Sequence, residues 1–213
     1  MTDAPDAPLE LYYHPLSRAA NVVWMLEEVG VPYTLRFVDI HVRGEEVEAL
    51  RTTNAMGKLP TLVDGDAVIT ESAAIGVYLA DRYAQGRLSP TVDSKERGTF
   101  LRWSFFAPSV IEPGCYAQVA GWEFRASSAG WGAYDDMLNT IESAIGDGPW
   151  LLGDTFSMAD VIFGGTVRYM LQFEMLEPRD RFTAYRDRLN ARPASKKAQA
   201  INAEQMTKHG IKV

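Results

Sequence analysis

Near the start of the chain, the spacing of apolar residues changes from a strand pattern to a helix pattern and back to a strand pattern. Leu9–Tyr13 is rich in residues that favour β-strands. After Ser17 the apolar residues recur at helical spacing, and Gly30 followed by Pro32 is a typical helix end. Residues 33–38 again favour a strand. A strand, a helix and a strand within about 30 residues predict two parallel strands joined by a right-handed crossover.

The next pattern is a short hairpin between two helices. Residues 44–50 are a candidate short helix. Thr61–Asp64 and Ala67–Thr70 are short β-prone segments, and the Asp-Gly dipeptide between them favours a hairpin turn. Residues 71–83 then have apolar positions on one helical face. The first part of the chain therefore has the predicted order βαβ-α-ββα.

The remainder of the chain contains no convincing strand. Gly86, Ser89 and Pro90 interrupt the pattern, so a linker at 85–92 is predicted between a domain at 1–84 and an all-helical domain at 93–213. Pro108 and Pro113 are expected to kink or interrupt the first long helix. The predicted helices cover residues 94–119, 133–145, 158–173, 179–190 and 194–203.

A helix start in the second domain has a sequence signature of its own. Ser157 precedes an apolar helix and Asp160 follows three residues later. This spacing predicts a capping box, in which the two side chains satisfy backbone N–H groups at the helix start. We expect Ser157 and Asp160 to be structural and to secure a helix that runs through the core of the second domain.

Composition narrows the function classes. The 213 residues are 46% hydrophobic and carry a formal net charge of −7, which disfavours nucleic acid and anionic membranes as partners. No apolar run reaches the roughly 18–20 residues of a membrane span. Cys115 is the only cysteine, so no internal disulfide is possible, and the three histidines lack metal-ligand spacing, so no metal site is expected. The acidic, proline-rich start does not resemble a signal peptide. These features predict a protein of the cytoplasm.

Two segments offer contacts to a small anionic peptide. Pro60 stands directly before a β-prone run, and an X-Pro bond is where a cis peptide costs little, roughly 0.5–1 kcal/mol. A cis bond would turn the N–H and C=O of Leu59 outward, where they could pair with an extended peptide. Glu71 and Ser72 open the following helix, whose N–H groups and serine hydroxyl could hold a carboxylate.

A third segment carries candidate chemistry for a thiol. Ser17 precedes an amphipathic helix, where it could serve only as a cap. A hydroxyl in the positive potential of a helix N-terminus can also donate to a thiolate and lower the pKa of a thiol. Both roles use the same geometry.

Four motifs together resemble the cytosolic glutathione S-transferase family. They are the strand-to-helix junction at 12–19, the Asn-Ala-Met-Gly-Lys-Leu-Pro-Thr-Leu segment at 54–62, the Glu-Ser-Ala-Ala-Ile element at 71–75 and the capping motif at 153–160. Ala55 stands where the family signature Asn-Pro-x-Gly-Lys-Val-Pro has a proline. The resemblance covers nearly the whole chain and implies an α/β thioredoxin-like N-terminal domain followed by an all-α C-terminal domain.

The resemblance to serine-type transferases implies that Ser17 activates the thiol of glutathione. Tyr12 and Tyr13 are alternatives, because strand alternation puts one of them in the core and leaves the other as a possible donor. Arg18 is a third alternative: it stands roughly where some bacterial relatives have a cysteine, and it could add positive charge near the thiolate. His14 is expected to be a loop residue rather than a base.

The glutathione contacts follow from the same resemblance. Leu59 would bind through its backbone, which Pro60 fixes in place, while Glu71 would accept from the ligand ammonium and Ser72 would hold the carboxylate at the same end. Further candidates are Lys58 for the glycine carboxylate, Asn54, which could instead stabilise its own turn, and His41.

The second substrate is implied to be a small hydrophobic electrophile bound by the first long helix of the second domain. Its candidate residues are Trp103, Phe106, Ser109, Tyr116 and Trp122, although aromatic residues at helical spacing are more often part of the core. Cys115 lies in the same segment and is expected to be a buried thiol rather than a nucleophile.

The resemblance implies a detoxification enzyme that uses glutathione as a co-substrate, binds no permanent cofactor and forms a homodimer. The expected reaction is attack of the glutathione thiolate on the electrophile by conjugation, substitution or addition. The alternatives are a glutathione-dependent isomerase, dehalogenase or peroxidase, or a binding protein that keeps the fold without catalysis.

Overall fold

The computed structural model describes residues 8–40 and 44–212, which form two compact units. The first unit comprises the chain up to Gln85 together with the segment from Arg192 onward, and the second comprises Gly86–Ala191. The division lies at the start of the predicted linker. Within the described residues no helix is both long and apolar enough to cross a membrane, and no three His, Cys, Asp or Glu side chains are grouped as metal ligands.

The first unit is built on a sheet of four strands in the order β2-β1-β3-β4. Its strands and the helices between them follow the predicted order, and β1 pairs with β2 in parallel while β3 pairs antiparallel with both β1 and β4. The thioredoxin-like prediction is thereby confirmed. The elements are β1 (Leu9–Tyr13), α1 (Ala19–Val29), β2 (Tyr33–Phe37), α2 (Glu45–Thr53), β3 (Thr61–Asp64), β4 (Ala67–Thr70) and α3 (Ser72–Tyr83).

The core of the first unit lies between the sheet and α1. Leu9, Leu11 and Tyr13 are buried because alternate residues of β1 point to the same face of the sheet. Helix α1 is buried around most of its circumference, including Trp24 and Met25. The reason is that α1 has helix α3 as one neighbour and the last helix of the chain as another.

That last helix, α9 (Pro193–Lys208), corrects the predicted domain division. The prediction assigned all of 93–213 to the helical domain, but the segment from Arg192 onward clusters with the first unit. Arg192 forms two hydrogen bonds to the buried carboxylate of Glu28, at 2.7 and 2.8 Å, and Lys197 pairs with Glu27 at 2.7 Å. These contacts join residues more than 160 positions apart, which no local pattern reveals.

The second unit is helical, as predicted, and α7 is its most buried helix. Trp103 of α4 and Phe163 of α7 pack edge to face with ring centroids 5.8 Å apart, and Phe106 joins the same aromatic cluster. The helices are α4 (Glu96–Phe106), α5 (Glu112–Val119), α6 (Tyr134–Ile145), α7 (Met158–Gln172) and α8 (Asp180–Ala191).

The predicted interruption of the first long helix is confirmed. Ala107–Ile111, between α4 and α5, is a π-helical segment that contains Pro108, and Pro113 lies in the first turn of α5. Proline lacks the N–H of the i→i−4 ladder and its ring collides with the carbonyl one turn earlier. A wider turn accommodates this conflict without ending the helix.

The capping box at the start of α7 is also confirmed, and it is larger than predicted. The backbone N–H of Ser157 donates to the Asp160 carboxylate at 2.9 Å, and the Ser157 side chain accepts from the helix backbone in return. The fully buried carboxylate also accepts from the N–H of Leu151 at 2.9 Å and the hydroxyl of Tyr185 at 2.8 Å. Burial raises the pKa of Asp160, and these hydrogen bonds oppose that rise.

Candidate functional site

Three loops meet at one edge of the sheet of the first unit. Tyr12, near the end of β1, lies opposite Thr61 at the start of β3, and Thr61 in turn lies opposite Thr70 at the end of β4. The junction after β1, the segment before β3 and the start of α3 therefore share this edge. Adjacent strands are about 4.8 Å apart, so the three loops span about 10 Å, close to the length of an extended tripeptide.

Ser17 lies in the junction between β1 and α1 and is half-buried. Its hydroxyl donates to the carbonyl of His14 at 2.8 Å and accepts from the N–H of Ala19, the first residue of α1, at 3.1 Å. Arg18, and not Ser17 as predicted, is the N-cap residue of α1, yet the Ser17 hydroxyl accepts the N–H of the first helical residue. The same contact puts the hydroxyl at the positive end of α1, where an anion is stabilised.

The two tyrosines separate as strand alternation predicts. Tyr13 is fully buried, and its hydroxyl donates to Oδ1 of Asn202 on α9. Burial raises the pKa of Tyr13, and the engaged hydroxyl removes this residue from the candidate donors. Tyr12 is half-buried, with the guanidinium of Arg36 5.8 Å from its ring centroid, and it remains the alternative to Ser17.

The rest of the junction is held by its own contacts. His14 is buried, its Nδ1 accepts from the N–H of Leu16 at 3.2 Å, and its ring packs against Phe37. This imidazole is part of the loop architecture, as expected. Arg18 is half-buried and directly precedes α1.

The segment before β3 presents an unpaired backbone. The Leu59–Pro60 peptide bond is cis, Pro60 is buried and Leu59 is half-buried. Neither the N–H nor the C=O of Leu59 forms a hydrogen bond within the described part of the chain. An extended peptide that lies along this segment can pair with both groups.

Asn54 organises this segment instead of facing a ligand. Its Nδ2 donates to the carbonyl of Lys58 and to Oγ1 of Thr61, each at 3.0 Å, and its Oδ1 accepts from the N–H of Met56 at 3.1 Å. Both ends of the buried amide are therefore used within the loop, in agreement with the turn-stabilising alternative. Lys58 itself is exposed. His41 lies outside the described residues.

Glu71 has an unusual backbone at the start of α3. Its φ is 67°, a region that side-chain-bearing residues rarely adopt. Its carboxylate is exposed and has no partner among the described residues, while its carbonyl accepts from the N–H of Ile75 at 2.9 Å. Ser72 is half-buried at the first position of α3, and its hydroxyl is also unengaged within the described chain. Strain of this kind commonly occurs at ligand sites.

The candidate electrophile residues of the second unit differ in exposure. Trp103 is buried in the aromatic cluster and belongs to the core, while Phe106 is half-buried beside it. Ser109 is exposed but its hydroxyl donates to the carbonyl of Phe105. Tyr116 and Trp122 are 40% and 57% exposed.

Cys115, in the same segment, is a buried thiol as expected. It is fully buried in the second unit. Burial raises the pKa of Cys115 to about 12. At neutral pH the thiol therefore stays protonated, which excludes it as a nucleophile.

Comparisons with known proteins agree with this geometry. The glutathione S-transferase N-terminal domain model matches residues 7–81 and the C-terminal domain model matches residues 116–188, together more than half of the chain. Human glutathione S-transferase theta-2 is 29% identical over 203 residues, which cover 86% of this chain and 81% of that protein.

Solved structures give the same result. A glutathione transferase from Methylococcus capsulatus is 27% identical with a TM-score of 0.75, covering 92% of this chain and 98% of its own. The theta class glutathione S-transferase of Xanthomonas axonopodis pv. citri, solved with glutathione bound, is 28% identical with a TM-score of 0.71, covering 90% of this chain and 97% of its own. The chain therefore belongs to the glutathione S-transferase family.

Proposed function

We propose that this transferase binds glutathione along the shared sheet edge and that the hydroxyl of Ser17 stabilises the glutathione thiolate. The observation that carries the proposal is that three loops converge at this edge. Their polar groups are either without a partner in the described chain or, as for the Ser17 hydroxyl, able to turn to a new partner. Together they match the three parts of the tripeptide: the γ-glutamyl end, the cysteine backbone and the thiol.

The backbone of Leu59 binds the middle of the ligand in this proposal. Its unpaired N–H and C=O can form two hydrogen bonds with the backbone of the central cysteine. This pairing fixes the direction of the peptide, so one end extends toward α3 and the thiol extends toward the start of α1. Lys58, which is exposed on the same segment, can meet the glycine carboxylate.

Glu71 and Ser72 account for the γ-glutamyl end. The free carboxylate of Glu71 can accept from the ammonium group, and the hydroxyl of Ser72 with the first N–H groups of α3 can hold the carboxylate. A helix N-terminus favours an anion but repels a cation. The acidic side chain beside it therefore supplies the charge that the ammonium requires.

Ser17 accounts for the chemistry. Its single hydroxyl proton is directed at the carbonyl of His14. That carbonyl also accepts the backbone N–H of Ser17 at 3.0 Å, so it keeps a partner when the hydroxyl turns toward a thiolate. The Ala19 N–H remains on the serine oxygen and polarises it. Stabilising the thiolate lowers the pKa of the glutathione thiol toward neutrality and supplies the nucleophile at physiological pH.

Replacing Ser17 with alanine tests this assignment. We expect kcat/KM for a chromogenic electrophile to fall about 100-fold, as for loss of one donor to a reacting anion, while the Kd for glutathione changes less than about threefold because Leu59, Glu71 and Ser72 are intact. Ser94→Ala is the matched control, since the Ser94 hydroxyl accepts the N–H of Glu96, the first residue of α4, at 3.2 Å, as the Ser17 hydroxyl does at α1.

Each alternative has its own outcome. Full turnover in Ser17→Ala would contradict the assignment and direct attention to Tyr12→Phe. Glutathione binding by the wild type without turnover of any electrophile would indicate the binding-protein alternative, and absence of glutathione binding would contradict the site itself.

We further infer a cytoplasmic homodimer that acts on a hydrophobic electrophile. The family resemblance supports the dimer and the electrophile, and the single, buried cysteine is compatible with a reducing compartment. Sedimentation velocity of the purified protein measures the assembly directly, and a monomer at micromolar concentration would contradict the dimer.

A further inference from the structure

Helix α9 reaches the candidate site from the far end of the sequence. Asn202, on the face of α9 that packs against α1, forms two hydrogen bonds with its side-chain amide. Its Oδ1 accepts from the hydroxyl of Tyr13, and its Nδ2 donates to the carbonyl of Ala20 at 3.3 Å. Tyr13 is the last residue of β1 and Ala20 is the second residue of α1. One amide therefore joins the two ends of the junction that carries Ser17.

The position of the junction depends on both of these ends. Ala20 donates its N–H to the carbonyl of Ser17 at 3.1 Å, so a shift of the first turn of α1 also moves Ser17. Tyr13 precedes His14, whose carbonyl accepts both the backbone N–H and the hydroxyl of Ser17. Two successive hydrogen bonds, by way of Ala20, therefore link the Asn202 amide to Ser17. On the other side the amide bonds to Tyr13, the residue before His14.

A second contact of the same helix reaches the same junction. His209, at the end of α9, stacks on Phe37 with ring centroids 3.6 Å apart, and Phe37 also packs against His14 with ring centroids 5.4 Å apart. Ion pairs of Glu27 and Glu28 with Lys197 and Arg192 fix the opposite part of α9 along α1. Helix α9 is therefore held at both ends, which gives the Asn202 amide a defined place.

We infer that Asn202 is a positioning residue for Ser17: its amide fixes the distance between the end of β1 and the first turn of α1, and thereby aims the serine hydroxyl at the glutathione sulfur. The inference rests on the proposed role of Ser17. Asn202 is not expected to contact glutathione, because its hydrogen-bonding groups are directed at Tyr13 and Ala20. Its effect should therefore appear in the thiol pKa and in kcat and not in glutathione affinity.

The decisive experiment compares Asn202→Ala with wild type by titrating the ultraviolet band of the thiolate in the glutathione complex. We expect the pKa of the bound thiol to rise by about one unit in Asn202→Ala, and kcat to fall about tenfold because the donor is displaced. The Kd for glutathione should stay within about twofold. In a Ser17→Ala background the same substitution should have no further effect on the thiol pKa, because the two residues act through one hydrogen bond.

Two further variants separate positioning from packing. Lys197→Ala removes the ion pair of an exposed lysine with Glu27 between the same two helices, away from the junction, and should leave the thiol pKa unchanged. Asn202→Asp keeps the side-chain shape and an acceptor for Tyr13, but it places a carboxylate oxygen against the carbonyl of Ala20 in place of the donor, so its thiol pKa should rise at least as far as that of Asn202→Ala. Asn202→Asp also keeps the test informative if Asn202→Ala does not fold.

The outcomes distinguish this inference from the proposed function. A wild type that forms no glutathione thiolate near neutral pH contradicts the proposed function and the inference with it. A wild type with a lowered thiol pKa that both Asn202 variants leave unchanged contradicts the inference alone. A tenfold loss of glutathione affinity in Asn202→Ala also contradicts it, since Asn202 would then act on binding.

Discussion

At the scale of single residues, the candidate site is made of polar groups that are not fully hydrogen-bonded within the protein. Ser17 divides its hydroxyl between the first N–H of α1 and a carbonyl, while Leu59 leaves its backbone unpaired and Glu71 keeps a carboxylate without a partner in the described chain. A structural residue such as Asn54 shows the opposite, with its donors and its acceptor engaged. Unpaired polar groups gathered at one edge are what a polar ligand completes.

Because Glu71 has a positive φ, replacing it with glycine should affect stability and glutathione binding differently. A positive φ costs a side-chain-bearing residue about 1–3 kcal/mol, which glycine avoids at some cost in chain entropy. We expect Glu71→Gly to leave the free energy of unfolding unchanged or to raise it by up to about 1 kcal/mol, and to weaken glutathione binding at least tenfold through loss of the carboxylate. Urea unfolding and a glutathione titration measure the two effects.

Glu174 supplies the matched control. It is the other described non-glycine residue with positive φ, at 55°, and it lies beyond the end of α7 in the second unit. Glu174→Gly should have a similar effect on stability and none on glutathione binding. Equal affinity of Glu71→Gly and wild type for glutathione would refute the role given to the Glu71 carboxylate.

At the scale of elements, the features that the sequence predicted correctly are those set by local patterns of residues. The capping box at α7, the proline interruption between α4 and α5 and the order of strands and helices in the first unit all depend on residues within a few positions of one another. Such local patterns are visible in a single sequence. The additional partners of Asp160, which are Leu151 and Tyr185, could not be predicted because they depend on tertiary packing.

Those additional partners change the expected cost of losing Asp160. A helix cap alone contributes about 1–2 kcal/mol, but Asp160→Ala also leaves a buried N–H and a buried hydroxyl without an acceptor, each at about 1–3 kcal/mol. We therefore expect Asp160→Ala to lower the free energy of unfolding by about 3–5 kcal/mol. Ser157→Ala removes the cap and the hydrogen bond from its hydroxyl to Asp160 but leaves the acceptor of Leu151 and Tyr185 in place, so it should cost about 1–2 kcal/mol. Equal losses in urea unfolding of the two variants would show that the extra contacts contribute nothing.

At the scale of the whole molecule, the chain does not divide where its composition changes. The sequence of α9 is polar and suggests a continuation of the helical domain. In the structure, however, α9 belongs to the unit that carries the candidate site. The sequence predicted that α9 is a helix but not its partner, since its ion pairs and the Tyr13–Asn202 contact bring together residues from opposite ends of the chain. The same limit explains why Asn202 was missed, because no motif marks it.

Hydrogen exchange can test this division of the chain. Helices α8 and α9 are separated only by Arg192, but α8 belongs to the second unit and α9 to the first. A ligand that binds the folded site stabilises it by about 2.7 kcal/mol at a concentration 100 times its Kd. Because α1 and α9 pack together, we expect glutathione to slow exchange in both of these helices by up to about 100-fold.

Helix α8 is the control in the same exchange experiment, because it should gain much less protection than α9. Glycylglycine, which lacks the γ-glutamyl end and the thiol, should protect neither helix. Equal protection of α8 and α9 would show that the two units open as one and would contradict the separation at Arg192. Protection of α1 without α9 would mean that the contact of Asn202 with Tyr13 and Ala20 is not maintained when the site is occupied, and α9 would then lose its place in the glutathione-binding unit.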